Sequence, residues 1–298
     1  MKFKSRLLNL SGGIALVLDL HTHTTASDGT LKPMELVEKA KLIGLEVLAI
    51  TDHDTVTGFH QIDETVYKDP KLLLIRGVEI SAEYPTDSLH ILGYNFDNSE
   101  KVEKVLNELI EYRNKRNELI LEKMNQHGFK LTMEELKKVA KGKAIGRPHF
   151  ARLMVEKGYV QSMEEAFQKY LKDGGLFFVE KKRLKPEEAI ELIKESGGIA
   201  ILAHPYQTLH EGKPYPIAPE IETLEDLIKY LVSKGLDGVE AYYSTHLPGQ
   251  VEELLRIAEK YNLVVTAGSD FHGDNRPNIK LGMNVPYRHV GKFLSKLF

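Results

Sequence analysis

The residues able to do chemistry in this chain stand in short polar motifs, each beside an apolar run. The first is Asp19-Leu20-His21-Thr22-His23, after the run 14–18. In an extended chain, side chains at i and i+2 point to the same side. His21 and His23 can therefore reach one point just past a strand end, where two imidazoles suit zinc, manganese or iron. Five residues on, Ser27-Asp28-Gly29 offers a carboxylate in a turn. A lone His-x-His is equally compatible with two polar residues leaving a strand, but the arrangement recurs. His53 lies in Thr51-Asp52-His53-Asp54 after the run 45–50, and Glu79 lies near the end of 72–80. His204 follows 199–203, and Asp270 and His272 follow 263–267. His90 opens the run 89–96 instead, which fits if that strand runs antiparallel. Six of the chain's twelve histidines thus stand beside strand ends, with three acids among them. Nine N/O ligands exceed the needs of one ion; at about four to six ligands per ion, water included, they suit two or three. The chain has no cysteine, so any metal must be held by His, Asp and Glu.

The elements that would position these groups read as seven strand-like runs alternating mostly with helices. The strands are the six runs above plus 238–242; helices are expected over 31–43, 60–67, 186–195, 224–233 and 250–261. That alternation predicts an α/β fold with a parallel sheet, open or closed into a barrel. In such a barrel, functional residues gather at the C-terminal strand ends. Between 100 and 173 the pattern is helical only. Val102, Val105, Leu106, Leu109, Ile110, Leu119, Ile120 and Met124 form the apolar stripe of one long helix, with Arg113-Asn114-Lys115-Arg116 in its middle. Thr132 and Glu135 have capping-box spacing before a helix over 132–140. Gly146-Arg147-Pro148-His149 opens another, and Ser162 caps a last one ending near Leu171; Phe177-Phe178-Val179 reads as a short strand or a linker. The expected organisation is a barrel from 1–99 and 187–298 with an inserted helical domain, 100–186.

With 298 residues the chain can bury a sizeable core, and its net charge is −3. The charge is unevenly placed: residues 100–186 carry 20 Lys+Arg and 13 Asp+Glu, and the remainder carries 20 and 30. A basic segment inside an acidic scaffold is either a solvated helical surface or a cap that draws in an anionic substrate. No apolar run is long enough to span a bilayer. The N-terminal lysines and leucines imitate a signal peptide, but Asn9, Ser11, Gly12 and Gly13 interrupt the run, so a cytoplasmic protein is expected.

Five motifs in order, Asp19-Leu20-His21-Thr22-His23, Thr51-Asp52-His53-Asp54, Gly77-Val78-Glu79-Ile80-Ser81, Ala203-His204-Pro205 and Gly268-Ser269-Asp270-Phe271-His272, resemble the PHP (polymerase and histidinol phosphatase) family. The resemblance covers the chain outside the insertion. The insertion, with Arg-Asn-x-Arg and Gly-Arg-Pro-His, resembles single-chain PHP phosphoesterases that act on 3′,5′-nucleotide bisphosphates, some of which trim RNA from its 5′ end. The resemblance implies a distorted (β/α)7 barrel of PHP type with a three-metal centre. His21, His23, Glu79 and Asp270 would hold one ion. Asp28, His53 and His272 would hold a second, and Glu79, His90 and His204 a third, with Glu79 bridging. Many relatives have histidine at the Asp28 position; aspartate matches the bisphosphatase branch and hardens the site toward Mn2+, with Zn2+ or Fe2+ as alternatives.

The implied reaction is hydrolysis of a phosphate ester by a metal-bound hydroxide, with no side-chain nucleophile. Asp52 and Asp54 would orient ligand histidines or cap the following turn. Arg113, Arg116 and Arg147, with His149 at a helix start, would grip a second, non-reacting phosphate. Surface salt bridging with Glu111, Glu118 or Glu122 is the competing role for Arg113 and Arg116. The remaining histidines, His60, His127, His210, His246 and His289, are read as ordinary surface or core residues. The expected substrates are nucleotides or short RNA, without duplex DNA or membrane. Three rival readings remain: a histidinol-phosphate phosphatase, a metal-dependent amidohydrolase, and a PHP-type module that binds nucleotides or acts as a scaffold without catalysis.

Overall fold

In the computed structural model, the described residues are 15–84, 89–97, 99–140, 145–180, 182–210, 212–214 and 217–298. Ile14 and the basic, apolar run before it lie outside them. The sheet is built outward from three short apolar segments that run parallel: β1 (Ala15–Asp19), β2 (Val47–Ile50) and β3 (Leu73–Ser81). Between β1 and β2 lies helix α1 (Pro33–Leu42), with proline in its first turn and Leu36, Val37 and Ala40 buried against the sheet. The single helix expected over 60–67 is instead two 3₁₀ turns, Thr57–Gln61 and Glu64–Lys68. The side chain of Asp63 caps the second turn by accepting from Thr65 N at 2.8 Å, which stops the first from continuing.

The sheet is not wholly parallel. β4 (His90–Tyr94) pairs antiparallel with both β3 and β5 (Ile199–Leu202). Its first residue, His90, therefore lies at the same rim as the last residues of its neighbours. After a two-stranded ribbon, β6 (Leu209–His210) with β7 (Lys213–Pro214), the parallel pattern resumes with β8 (Gly238–Tyr243) and β9 (Val264–Gly268). An eighth strand of the main sheet, β10 (Met283–Pro286), pairs antiparallel with Ala15–Leu18 of β1 and has no counterpart among the seven expected runs.

Past Asp19, the β1 chain changes partner. Leu20 N donates to Ala267 O at 2.9 Å, Asp270 N to His21 O at 2.9 Å, and His23 N to Phe271 O at 2.9 Å. These bonds bring the β9 edge onto β1 and nearly close the sheet into a barrel. Asp19 sits where the partner changes. Its carboxylate accepts from Ser269 N at 2.9 Å and Gly282 N at 2.8 Å, backbone groups that the switch leaves without ladder partners. Burial outweighs these bonds and pushes its pKa up to about 6.

The outer helices of this part include α6 (Pro186–Glu195), α7 (Leu224–Ser233), α8 (Pro248–Lys260) and α9 (Tyr287–Ser295). Val290, Phe293 and Leu294 of α9 join the core cluster formed by Leu16, Leu18, Leu92, Tyr94 and Ile201.

By Cα proximity the chain divides into two compact units, Met1–Lys104 with Leu184–Phe298, and Val105–Arg183. The second unit contains most of α2 (Ser99–Gln126), α3 (Met133–Ala140), α4 (Arg147–Glu156) and α5 (Met163–Ala166), the last passing into a π-helical turn to Leu171. It has its own core, in which Ile120, Met124, Leu136, Phe150, Leu171 and Phe177 are buried. Residues 177–179 form no strand; Phe177 instead packs its ring on Tyr170, with 5.2 Å between centroids.

Candidate metal centre

The barrel rim gathers the six expected histidines and three acids around one carboxylate. Glu79 is 1% exposed, and its side chain meets five imidazoles. Oε2 lies 3.1 Å from His21 Nε2, His23 Nε2 and His53 Nδ1 alike. Oε1 lies 2.8 Å from His90 Nδ1 and 3.0 Å from His204 Nε2. Asp270 Oδ1 stands 3.1 Å from His23 Nε2, and Asp28 Oδ1 stands 3.0 Å from His272 Nε2.

Among the described residues, three sets have donor atoms that lie within 4.8 Å of one another: His21, His23, Glu79 and Asp270; His23, Asp28, His53 and His272; and His53, Glu79 and His90. The first is the set expected for one ion. The second adds His23 to the expected Asp28, His53 and His272. The third contains His53 where His204 was expected; His204 reaches the cluster through its contact with Glu79.

The backbone is shaped to produce this convergence. His204 and Asp270 hold positive φ angles of 28° and 60°, and Asp54 holds 52°, conformations that non-glycine residues seldom adopt. All three follow strands at this rim. Gly268 is required by close approach: a Cβ there would stand 2.2 Å from that of His21.

Charge is balanced tightly. Burial pushes the pKa of Glu79 up, but His53, His21 and His90 outweigh it and hold the group well below the ordinary carboxylate range. Burial lowers His23, yet the adjacent Asp270 and Glu79 carboxylates carry it to about 9. His53 goes the other way: burial dominates and takes it to about 4.

The donor set fits divalent cations. His21 Nε2, His23 Nε2, His53 Nδ1, His272 Nε2, Asp28 Oδ1, Glu79 Oε2 and Asp270 Oδ1 are all buried and have no hydrogen-bond partner among the described residues. Buried polar atoms left in that state are costly unless a cation satisfies them. Imidazole with carboxylate selects borderline to hard divalent ions.

Two supporting residues were not foreseen. Glu240, fully buried in β8, holds His21 Nδ1 at 3.0 and 3.2 Å and accepts from His204 N at 2.8 Å. Its only sequence signal is an acid inside an apolar strand, Gly238-Val239-Glu240-Ala241. Arg276 pairs through Nη1 with Asp270 Oδ2, which also accepts from Tyr243 OH at 2.9 Å.

Among the described residues, Asp52 bonds no histidine. It accepts from Thr24 N at 2.7 Å, Thr24 Oγ1 at 2.7 Å and Ser27 Oγ at 2.6 Å, so it pins the loop that carries Asp28. Asp54 accepts from Ser81 N at 2.8 Å.

The expected phosphate-binding residues lie in the helical unit. Arg116 is 3% exposed and donates from Nη2 to Asn117 Oδ1 at 2.9 Å. Arg113 is half-buried on the same helix. Arg147 Nη1 donates to Leu171 O at 3.1 Å, tying the start of α4 to the π-helical turn, and Gly146 N donates to His149 Nδ1 at 3.0 Å.

A buried histidine–carboxylate cluster at the strand ends of a nearly closed α/β barrel is the kind of site found in metal-dependent hydrolases, and the relatives of this chain make it one that hydrolyses phosphoester bonds. The chain belongs to the PHP family: the PHP-domain family model matches residues 19–232. It is 36% identical over 273 residues to the 5′-3′ exoribonuclease Rnm of Escherichia coli, covering 91% of this chain and 90% of that protein. It is 29% identical over 264 residues to the 3′,5′-nucleoside bisphosphate phosphatase of Chromobacterium violaceum, covering 86% and 87%. Among solved structures, it is similar to a protein of Bifidobacterium adolescentis assigned as a metal-dependent phosphoesterase. That likeness has a TM-score of 0.67 at 30% identity, over 94% of this chain and 96% of the other.

Proposed function

We propose that the chain hydrolyses phosphate esters of nucleotides in the cytoplasm, removing the 3′-phosphate of 3′,5′-nucleotide bisphosphates, trimming 5′-phosphorylated short RNA, or both. The observation that carries this reading is the convergence of five imidazoles on Glu79, with Asp28 and Asp270 beside them. The greater identity to the exoribonuclease than to the bisphosphatase favours RNA as one substrate.

Two or three divalent ions, Mn2+ foremost, bound by His21, His23, Asp28, His53, Glu79, His90, His204, Asp270 and His272, would supply Lewis acidity and make water a nucleophile near neutral pH. The protein's own residues set the geometry. Glu240 takes the Nδ1 proton of His21 in a hydrogen bond and leaves the Nε2 lone pair facing the cluster. The carbonyl of Asp270 does the same for His272, 2.8 Å from its Nδ1. Asp52 fixes the loop that presents Asp28. Arg113, Arg116, Arg147 and His149 are the groups proposed to hold the non-reacting phosphate, in keeping with the basic charge of their segment.

The test is hydrolysis by the manganese-reconstituted chain, read as phosphate released from adenosine 3′,5′-bisphosphate and from histidinol phosphate and as mononucleotides released from a 5′-phosphorylated RNA oligomer. Preference for either nucleotide supports the proposal, and preference for histidinol phosphate refutes it.

A further inference from the structure

We propose that Arg276 binds the phosphoryl group that is being hydrolysed. The inference rests on the phosphoesterase reading of the cluster and extends it to a residue outside the metal-binding set. Asp270 has two differently placed oxygens: Oδ1 faces His23 at 3.1 Å, whereas Oδ2 pairs with Arg276 Nη1 and Tyr243 OH. Asp270 is buried, but the Arg276 side chain is 42% exposed, so the guanidinium is the solvent-facing end of this pair. A guanidinium carries five N–H donors. Among the described residues, Asp270 is the side chain that this one bonds, through one nitrogen. Its other donors remain for an anion, and a planar fork suits phosphate oxygens.

The position is built. Asp274 N donates to Thr30 Oγ1 at 3.0 Å, Thr30 N to His272 O at 3.2 Å, and Asn275 Nδ2 to Asp28 O at 2.7 Å. These bonds stitch the turn bearing Arg276 to the loop bearing Asp28. Gly273 has a φ of +63°, and a Cβ there would stand 2.0 Å from Thr30 Oγ1, so the contact demands glycine. Arg276 is thereby held beside the cluster rather than left on a free loop. There it offsets the charge of an incoming phosphate dianion where Asp28, Glu79 and Asp270 would oppose it.

The experiment measures two quantities on manganese-loaded wild type, Arg276→Ala and Arg276→Lys: bound manganese per chain, and affinity for inorganic phosphate by calorimetry. The expected result is retained manganese with phosphate binding weakened roughly 10- to 100-fold in Arg276→Ala, the loss of a charge-assisted hydrogen bond. Arg276→Lys should restore part of it as a point charge, and it also serves should the alanine variant fail to fold. Unchanged phosphate affinity overturns the proposal. So does a loss of phosphate binding that merely tracks lost manganese, because Arg276 would then act only by holding Asp270. Inorganic phosphate reports on this site whichever ester the enzyme cleaves, so failure of the nucleotide assignment leaves a separate signature.

Discussion

The Nδ1 atom of His21 lies 3.0 Å from one oxygen of Glu240 and 3.2 Å from the other, and neither residue has measurable exposure. Against a carboxylate, that nitrogen carries the proton, which commits Nε2 to the cluster. Glu240 also accepts from His204 N, so one side chain sets two of the expected ligands. Glu240→Gln should therefore lower manganese affinity by about 10- to 100-fold, the usual cost of losing such a partner. Calorimetric titration of manganese into chelator-treated protein measures it. Affinity equal to wild type would show that His21 is oriented by packing alone.

The titrations of His23 and His53 pull in opposite directions when no metal is bound. The folded pKa of His23, about 9, exceeds its ordinary value of 6.5; burial lowers it, but the neighbouring Asp270 and Glu79 carboxylates prevail. Its contribution to stability is complete below pH 6.5 and is lost as pH rises through 9. The folded pKa of His53, about 4, is depressed by burial, so stability falls as pH drops from 6.5 toward 4 and the unfolded chain takes up the proton. The melting temperature of chelated protein should peak near pH 6.5. Manganese should bind more tightly as pH rises from 6.5 to 9, because it displaces the proton on His23. A flat melting profile across this range would count against both assignments.

Asp28 controls the second set of donors, with Oδ1 3.0 Å from His272 Nε2. An oxygen donor favours harder ions, an imidazole softer ones. Asp28→His should move the preference from manganese toward zinc, read as the ratio of the two metals retained after equilibration in an equimolar mixture. An unchanged ratio would mean that the other donors fix the selectivity.

What the sequence discloses follows from locality. Motifs directly after apolar strands are legible because strand period and strand end fix where their side chains go, and so His21, His23, His53, His204, Asp270 and His272 stand out. Even His90 can be placed, given an antiparallel β4. Glu240 stays hidden because its partners are 219 and 36 residues away in the chain. Arg276 stays hidden because it is one arginine in a polar turn, and only the stitching of that turn to Thr30 and Asp28 gives it a place. β10 is four residues long, and of these only Val285 is buried, too little for a period to register. Asp52 misleads for the opposite reason: flanking a histidine in sequence suggests contact with it, whereas its side chain turns back to Thr24 and Ser27.

Arg113 and Arg147 separate the roles of the helical unit. Arg147 has structural work within it, donating to Leu171 O and reaching Asp173 Oδ1 at 3.3 Å. Arg147→Ala should thus lower the melting temperature by a few degrees, in line with a loss of about 1 kcal/mol for a partly exposed hydrogen bond. If both hold the non-reacting phosphate, each variant raises KM for adenosine 3′,5′-bisphosphate several-fold and leaves KM for a simple monophosphate as it was. The comparison of the two substrates carries the test, because a merely destabilised unit impairs both alike. Equal effects on the two would assign Arg113 and Arg147 to the structure of the unit and remove them from substrate binding.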